Sequence, residues 1–333
     1  MASVTQAAQQ AFSFTCRLLF DKATAALWFT LGFVSWLSTL GEGGLPSGPN
    51  FNFDPSIFTQ SGSSGSASGQ PFHMDNEAFK EPLHWLEIYG PFVIGGIVLL
   101  VLLIGLAISL VLMWINSRGR FMFMDNIVRG EAAVSRPWQE YGGLAWQLFM
   151  YRVVLFGVQI VYWVIAGGIG LALAWSDLQT QIFGVGALCA IVAGCLFLIV
   201  WILVFFSLYT LMDDFQVPVM YARRVSPVEA LGVVWRQIVV GHAWDISLFY
   251  LLKLAFGVVG AIVMLVGTCC TCCIAGLPYL SSVVFLPVAV FMRAYSLFYM
   301  QAMSDAWRFI MPPEFAATLP AGPLPVPPGT PSI

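Results

Sequence analysis

The strongest constraint on this chain is a series of long stretches that carry no charged residue at all: Ala23 to Gly41, Ile88 to Ser117, Val153 to Ser176, Leu178 to Met212 and Leu254 to Met292. A helix needs about 20 apolar residues to cross a hydrocarbon layer about 30 Å thick, and each stretch approaches or exceeds that length. The last is too long for one helix and breaks at Gly276-Leu277-Pro278, giving a fifth span of roughly Asp245–Ala275 and a sixth of roughly Pro278–Met300. The second and fourth runs are longer than the hydrocarbon requires, so they tilt or protrude into water. Composition agrees. Only 9% of the 333 residues are Asp, Glu, Lys or Arg, against about 25% in soluble domains. Mean hydropathy is +0.83. The expected fold is all-α and integral to a membrane, with six transmembrane helices joined by interfacial amphipathic helices.

Orientation follows from where the basic residues fall. Arg17, Lys22, Arg118, Arg120, Arg129, Arg136, Arg152, Arg223, Arg224, Arg236, Arg293 and Arg308 lie on one side of the threaded chain; Lys80 alone lies on the other, and Lys253 is inside a span. The heavily basic side is cytoplasmic, so both termini are expected inside a bacterial cytoplasmic (inner) membrane, which requires an even number of spans. A cleaved signal peptide is the competing reading of the first span, disfavoured by its length, the polar arm before it and the lack of an A-x-A site.

The chain divides into a cytoplasmic arm (1–22), a six-span membrane domain (23–303) and a proline-rich cytoplasmic tail (304–333) expected to be disordered. In the arm, Ala8, Phe12, Cys16 and Leu19–Phe20 share one helical face, suited to the inner surface. Within the membrane domain, 41–87 is an external loop with Gly/Ser-rich segments, and residues 71–89 suggest a short interfacial helix interrupted by Pro82. Residues 117–145 and 213–243 read as cytoplasmic amphipathic loops. These two resemble each other: Met124-Asp125-Asn126 precedes Val134-Ser135-Arg136-Pro137, as Met212-Asp213-Asp214 precedes Val225-Ser226-Pro227. Ser beside Pro suits a helix start, and the pattern reads as a parallel internal repeat.

Chemistry-bearing groups are few. Cys269-Cys270-Thr271-Cys272-Cys273 offers four thiols to a soft metal or to disulfides, although small polarizable residues at a helix contact explain the run as well. Glu81, His84 and Glu87 have the Glu-x-x-His spacing of di-iron bundles but lack the second motif those sites need; a solvated helix is the favoured reading. Arg152 and Arg293 lie near enough to the inner interface to snorkel, and Lys253 is deeper. A sharper expectation is a cytoplasmic polar network in which Arg118, Arg120 and Arg293 pair with Asp125, Asp213 and Asp214. Nucleotide-binding, serine-hydrolase and zinc-protease motifs do not occur, so no catalytic residue, cofactor or metal site is assigned. A net charge of −3 argues against nucleic acid. The expected partners are membrane lipid and another, unidentified protein.

Ser117-Arg118-Gly119-Arg120-Phe121 with Asp125-Asn126, Pro137-Trp138, Phe291-Met292-Arg293-Ala294-Tyr295-Ser296-Leu297 and the opening Leu40-Gly41-Glu42-Gly43-Gly44 resemble a group of uncharacterised prokaryotic polytopic membrane proteins, over about residues 12–303. More distantly, Val225-Ser226-Pro227-Val228-Glu229-Ala230 is similar to YciC-like proteins and to the membrane domain fused to some glycerophosphoryl diester phosphodiesterases. The resemblance implies a fold and a membrane location, and no activity. The reading is therefore a structural or partner- and lipid-binding membrane module without catalysis, with a small-solute transporter or channel as the alternative and metal or redox sensing at the cysteines as a third.

Overall fold

The longest element is a single helix of 50 residues, Lys80–Arg129. At 1.5 Å per residue it runs about 75 Å, well beyond the about 40–45 Å of a bilayer with its headgroups. The computed structural model describes residues 2–21, 24–40, 80–180, 184–270, 278–303 and 307, and its regular elements are all helical. In chain order they are α1 (Ala2–Cys16), α2 (Ala25–Thr39), α3 (Lys80–Arg129), α4 (Ser135–Glu140), α5 (Gly142–Thr180), α6 (Val185–Arg223), α7 (Pro227–Val234), α8 (Ala243–Cys270), α9 (Pro278–Val284) and α10 (Leu286–Met303). Among the described residues four helices are long and apolar enough to cross a membrane: Gly95–Arg129 within α3, Gly142–Gln179 within α5, Val185–Arg223, and Ala243–Cys269 within α8. Helix α2 has 15 residues, and the segment expected as a sixth span is divided at Phe285. Pro287 explains the division, because it belongs in the first turn of a helix and opens α10 afresh.

Several boundaries differ from the sequence expectation. Pro82 does not interrupt a helix; it sits in the first turn of α3, where its missing N–H leaves no bond unmade. Residues 71–79 and most of the 41–87 loop lie outside the described residues, as does all of the tail except Trp307. Residues 117–129 and 213–223 continue the long helices, because nothing in Phe121-Met122-Phe123-Met124 breaks the helix and that run has a core to enter. Leu178 closes α5 and does not open α6. There Asp177 accepts hydrogen bonds from the Gly184 and Ala187 N–H groups at 2.9 and 2.7 Å, so a carboxylate one helix back satisfies the free N-terminal donors of α6. Of the two Ser-Pro starts, Ser226 forms a capping box with Glu229, whereas Ser135 lies inside α4 and supplies no cap.

Each long helix is divided in character. The stretch of α3 from Ile97 to Ile104 is exposed and every residue in it is Val, Leu or Ile; Val154, Val161 and Val164 of α5, Leu188 and Ile191 of α6, and Leu254, Val258, Ile262 and Val266 of α8 are exposed as well. An apolar surface this extensive has lipid as its solvent. The other halves are buried: Phe121, Met124 and Ile127 of α3, Val217 and Met220 of α6, and Phe249 of α8 have no exposed surface. Helices α1, α2 and α10 close around these buried halves. Helix α1 packs on α10 through Val4, Ala7 and Ala11, while Phe12 and Phe20 are 65% and 60% exposed. The arm therefore uses its small-residue face against the bundle, and the aromatic face expected on the membrane surface points away from it.

The α2–α3 contact is unusually close. Asn116 donates to the Ser38 carbonyl at 2.6 Å, and a Cβ on Gly119 would stand 2.6 Å from the carbonyl carbon of Leu37. Backbone cannot yield as a side-chain tip does. Gly119→Ala is expected to destabilise the fold by about 1–3 kcal/mol, the usual penalty of overpacking, seen as a lower melting temperature in detergent; an unchanged melt would mean that α2 docks elsewhere.

Candidate functional site

The α6 helix widens into π-helical turns at Ile202–Phe206 and Met212–Gln216. Such insertions recur at functional positions because they re-aim neighbouring side chains, and the second carries Asp213 and Asp214. Asp213 pairs with Arg120 of α3 at 2.9 Å and with Arg293 of α10 at 3.3 Å; Arg293 also donates to the Asp213 carbonyl at 2.5 Å. Asp214, 2% exposed, pairs with Lys253 of α8 and accepts from the Ser296 hydroxyl at 3.1 Å. Arg120 and Arg152 of α5 both donate to the Asn116 side-chain carbonyl, and Arg152 also reaches the Ser117 hydroxyl at 3.4 Å. Five helices thus meet through charged or charge-assisted bonds, with Arg120, Arg152 and Arg293 each at most 8% exposed.

Asp125 is a second centre. Its fully buried carboxylate accepts from Arg129 and Arg136 at 2.9 Å each, from the Tyr141 hydroxyl at 3.1 Å and from the Tyr221 hydroxyl at 2.9 Å. The two tyrosines stack with ring centroids 5.1 Å apart, and Arg224 lies over Tyr141 while pairing with Glu140. Burial raises the Tyr141 phenol above its ordinary pKa, which keeps it a donor near neutral pH.

The expected network is therefore two clusters. Arg120, Asp213, Asp214 and Arg293 come together; Asp125 lies apart from them with its own cations. Arg118 joins neither carboxylate centre. Its guanidinium lies between the Trp114 and Trp138 rings, at 5.0 and 4.6 Å, and donates to the Trp138 carbonyl, a half-buried cation–π arrangement. Arg152 turns inward instead of snorkelling, because Asn116 and Ser117 offer it oxygens inside the bundle. Asn116, Ser296, Tyr141 and Tyr221 were missed as partners. Asn116 and Arg120, four apart and so on one helical face, were the one signal available. Of the cysteine run, Cys269 is exposed at the end of α8; Cys270 has a described backbone only, and Cys272 and Cys273 lie outside the described residues. Glu81, His84 and Glu87 fall in the opening turns of α3, their side chains undescribed. Among the described residues no group of three His, Cys, Asp or Glu is placed to hold a metal.

Beside the Asp213–Asp214 cluster lies a cavity of about 720 Å³ whose base is Arg120, Arg152, Asp213, Asp214 and Lys253. Its walls are largely apolar, including Phe156, Trp201, Ile202, Phe205 and Phe206, with Ser109, Gln159, Tyr209 and Thr210 among them. Asp213 is 47% exposed at its side chain because it faces this space. Ile202 and Phe206 are themselves lipid-facing, 46% and 68% exposed, so the cavity opens sideways between helices.

Four long apolar helices enclosing an ionic cluster mark a membrane-embedded, all-helical protein. The chain belongs to a family of unknown function (DUF7544), whose model matches residues 2–281. That match takes in both carboxylate centres and Lys253, and ends before Arg293 and Ser296. No curated protein and no solved structure matches the chain.

Removing the Asp125 carboxylate takes away the carboxylate partner of Arg129, one of the two carboxylates held by Arg136, and the acceptor of two buried phenols, so Asp125→Ala is expected to destabilise by about 3–5 kcal/mol, as for a broken buried pair. Arg136→Ala, at a cation 40% exposed, is expected to lose about 0–1 kcal/mol. Equal losses in thermal unfolding would contradict the buried hub.

Proposed function

We propose that this chain is a non-enzymatic, six-span module of the bacterial cytoplasmic membrane, with both termini in the cytoplasm, that binds lipid or a membrane partner. The observation that carries the reading is the sideways-opening cavity with largely apolar, lipid-facing walls over a charged base. The charged groups there bond to one another across helices, an arrangement suited to holding helices in register and to meeting a polar headgroup. Helix α2 and the α9–α10 pair supply the crossings beyond the four long helices. The bias of Lys and Arg supports the orientation. The order long helix, short helix, long helix occurs twice, as α3–α4–α5 and α6–α7–α8, which supports a parallel repeat.

The second reading is a small-solute transporter or channel. It is favoured by Arg152 and Lys253, cations at the cavity base within otherwise apolar helices. Redox or metal sensing at Cys269, Cys270, Cys272 and Cys273 is a third, and would register as bound metal or a mass change on reduction.

Purification in mild detergent is expected to recover the protein with a stoichiometric lipid or protein partner, and a tag after Ile333 is expected to be reached by reagents only from the cytoplasmic side. Repeated recovery of the bare chain, or solute flux in liposomes, would overturn the binding module; a tag reached from outside would overturn the topology.

A further inference from the structure

We propose that Arg118, held between Trp114 and Trp138, binds the phosphate of one anionic phospholipid at the cytoplasmic edge of the bilayer. Arg118 does not line the lateral cavity, so this is a second place for lipid on the molecule, and it rests on the lipid-binding reading above.

Arg118 stands where the lipid-facing surface ends. On its membrane side, Val111 of α3 and Trp146 of α5 are 55% and 50% exposed. On the other side, Arg136 pairs with Glu131 and Arg224 with Glu140, and all four side chains are partly exposed. Headgroups fill the interval between hydrocarbon and water, and Trp is enriched there because its ring is apolar and its N–H polar.

The guanidinium is presented in a fixed orientation. It lies 5.0 Å from the Trp114 ring centroid and 4.6 Å from that of Trp138, and the two indoles meet edge to face. Contact with rings costs a guanidinium little, since it is weakly hydrated, and leaves its edge free for oxygens. Among the described residues the group makes one hydrogen bond, from Nη1 to the Trp138 carbonyl, and pairs with no carboxylate. Nε is buried, so Nη2 is the donor left at the surface. The backbone beside it is bare: a Cβ on Gly142 would stand 3.5 Å from Nη1 and Nη2, and one on Gly143 would meet nothing within 4 Å. A phosphate oxygen can approach there and take a short, charge-assisted bond.

From Arg118 a stripe of α3 leads into the membrane through Trp114, Val111 and Ile104, whose spacings return to one helical face. Val111 and Ile104 are 55% and 51% exposed. The stripe is about 21 Å long, enough to pass from the headgroups through one half of a hydrocarbon layer about 30 Å thick. Trp146, one turn beyond Gly142 on α5, lies against Phe149 and adds an exposed ring beside the same approach. A free anion would use the guanidinium and leave this path bare. A zwitterionic lipid would use the path, but its own cation would find no carboxylate at Arg118.

Delipidated full-length protein in mild detergent is titrated with phosphatidylglycerol, with phosphatidylcholine of the same chains and with inorganic phosphate, and bound lipid is weighed by native mass spectrometry. Phosphatidylglycerol is expected to bind about fivefold more tightly than phosphatidylcholine, the effect of one basic residue at a membrane surface, with no thermal shift from phosphate. Arg118→Gln is expected to remove that preference, and Arg118→Lys to weaken phosphatidylglycerol as well, because it keeps the charge and loses the planar group between the rings. Arg236→Gln, at an exposed cation elsewhere, is expected to change neither lipid. Trp146→Ala is expected to weaken phosphatidylglycerol while leaving the melting temperature of the lipid-free protein unchanged, so the test survives misfolding of the arginine variants. Equal binding of the two lipids, a thermal shift from phosphate alone, equal losses in Arg118→Gln and Arg236→Gln, or full retention in Trp146→Ala would each overturn the proposal. Lipid retained undiminished by Arg118→Gln removes this site and leaves the binding module standing, whereas recovery of neither lipid nor partner removes both.

Discussion

The fold depends on charges paired between helices that are otherwise apolar. Asp213 and Asp214 sit on a helix that is apolar for most of its length, and an isolated carboxylate there would carry a desolvation penalty of several kcal/mol. The penalty is met by cations from three other helices, Arg120, Lys253 and Arg293, with Asn116 and Ser296 filling further hydrogen-bonding positions. Because each partner comes from a different helix, the pairing fixes how the helices stand relative to one another. Hydrophobic burial gives little such direction where the solvent is lipid.

The aromatic packing is built on that frame. Phe249 stacks on Tyr295 and Tyr299, with centroids at 4.8 and 4.4 Å, and Phe215 lies against them. These rings lie immediately beyond the acids: Phe215 follows Asp214, and Tyr295 precedes Ser296. Asp125 does the same work in the neighbouring region, gathering Tyr141 and Tyr221 from two elements. The cavity lies where this order stops, between the paired charges and the bare apolar halves of α3, α5 and α6.

Much of this was legible in the sequence. Long charge-free runs located the four long helices, since the requirement of about 20 apolar residues leaves few ways to place them. Pro278, at which the longest run was divided, opens α9. Arg120, Asp213, Asp214 and Arg293 were named together because charges beside apolar runs need partners. The pairings themselves were less legible. Arg118 and Arg120 look equivalent two residues apart, yet that spacing turns them to different faces, one to Trp114 and Trp138 and the other to Asp213. Asp125 and Asp213 look equivalent as well, but one lies in a regular helix and the other in a π-helical turn whose position no residue type announces. Helix α1 shows the same limit: two faces could have been buried, and the structure buries Val4, Ala7 and Ala11 and sets Phe14 against Phe298 of α10.

The pairing of buried charge is tested most directly by a double-mutant cycle on Lys253 and Asp214. Either single change, Lys253→Gln or Asp214→Asn, leaves one charge stranded, while the double change leaves none. Thermal unfolding of the four proteins is expected to show the double variant more stable than the summed single losses predict, with a coupling of about 1–3 kcal/mol. Losses that simply add would mean that these two groups do not depend on each other, and would contradict the account.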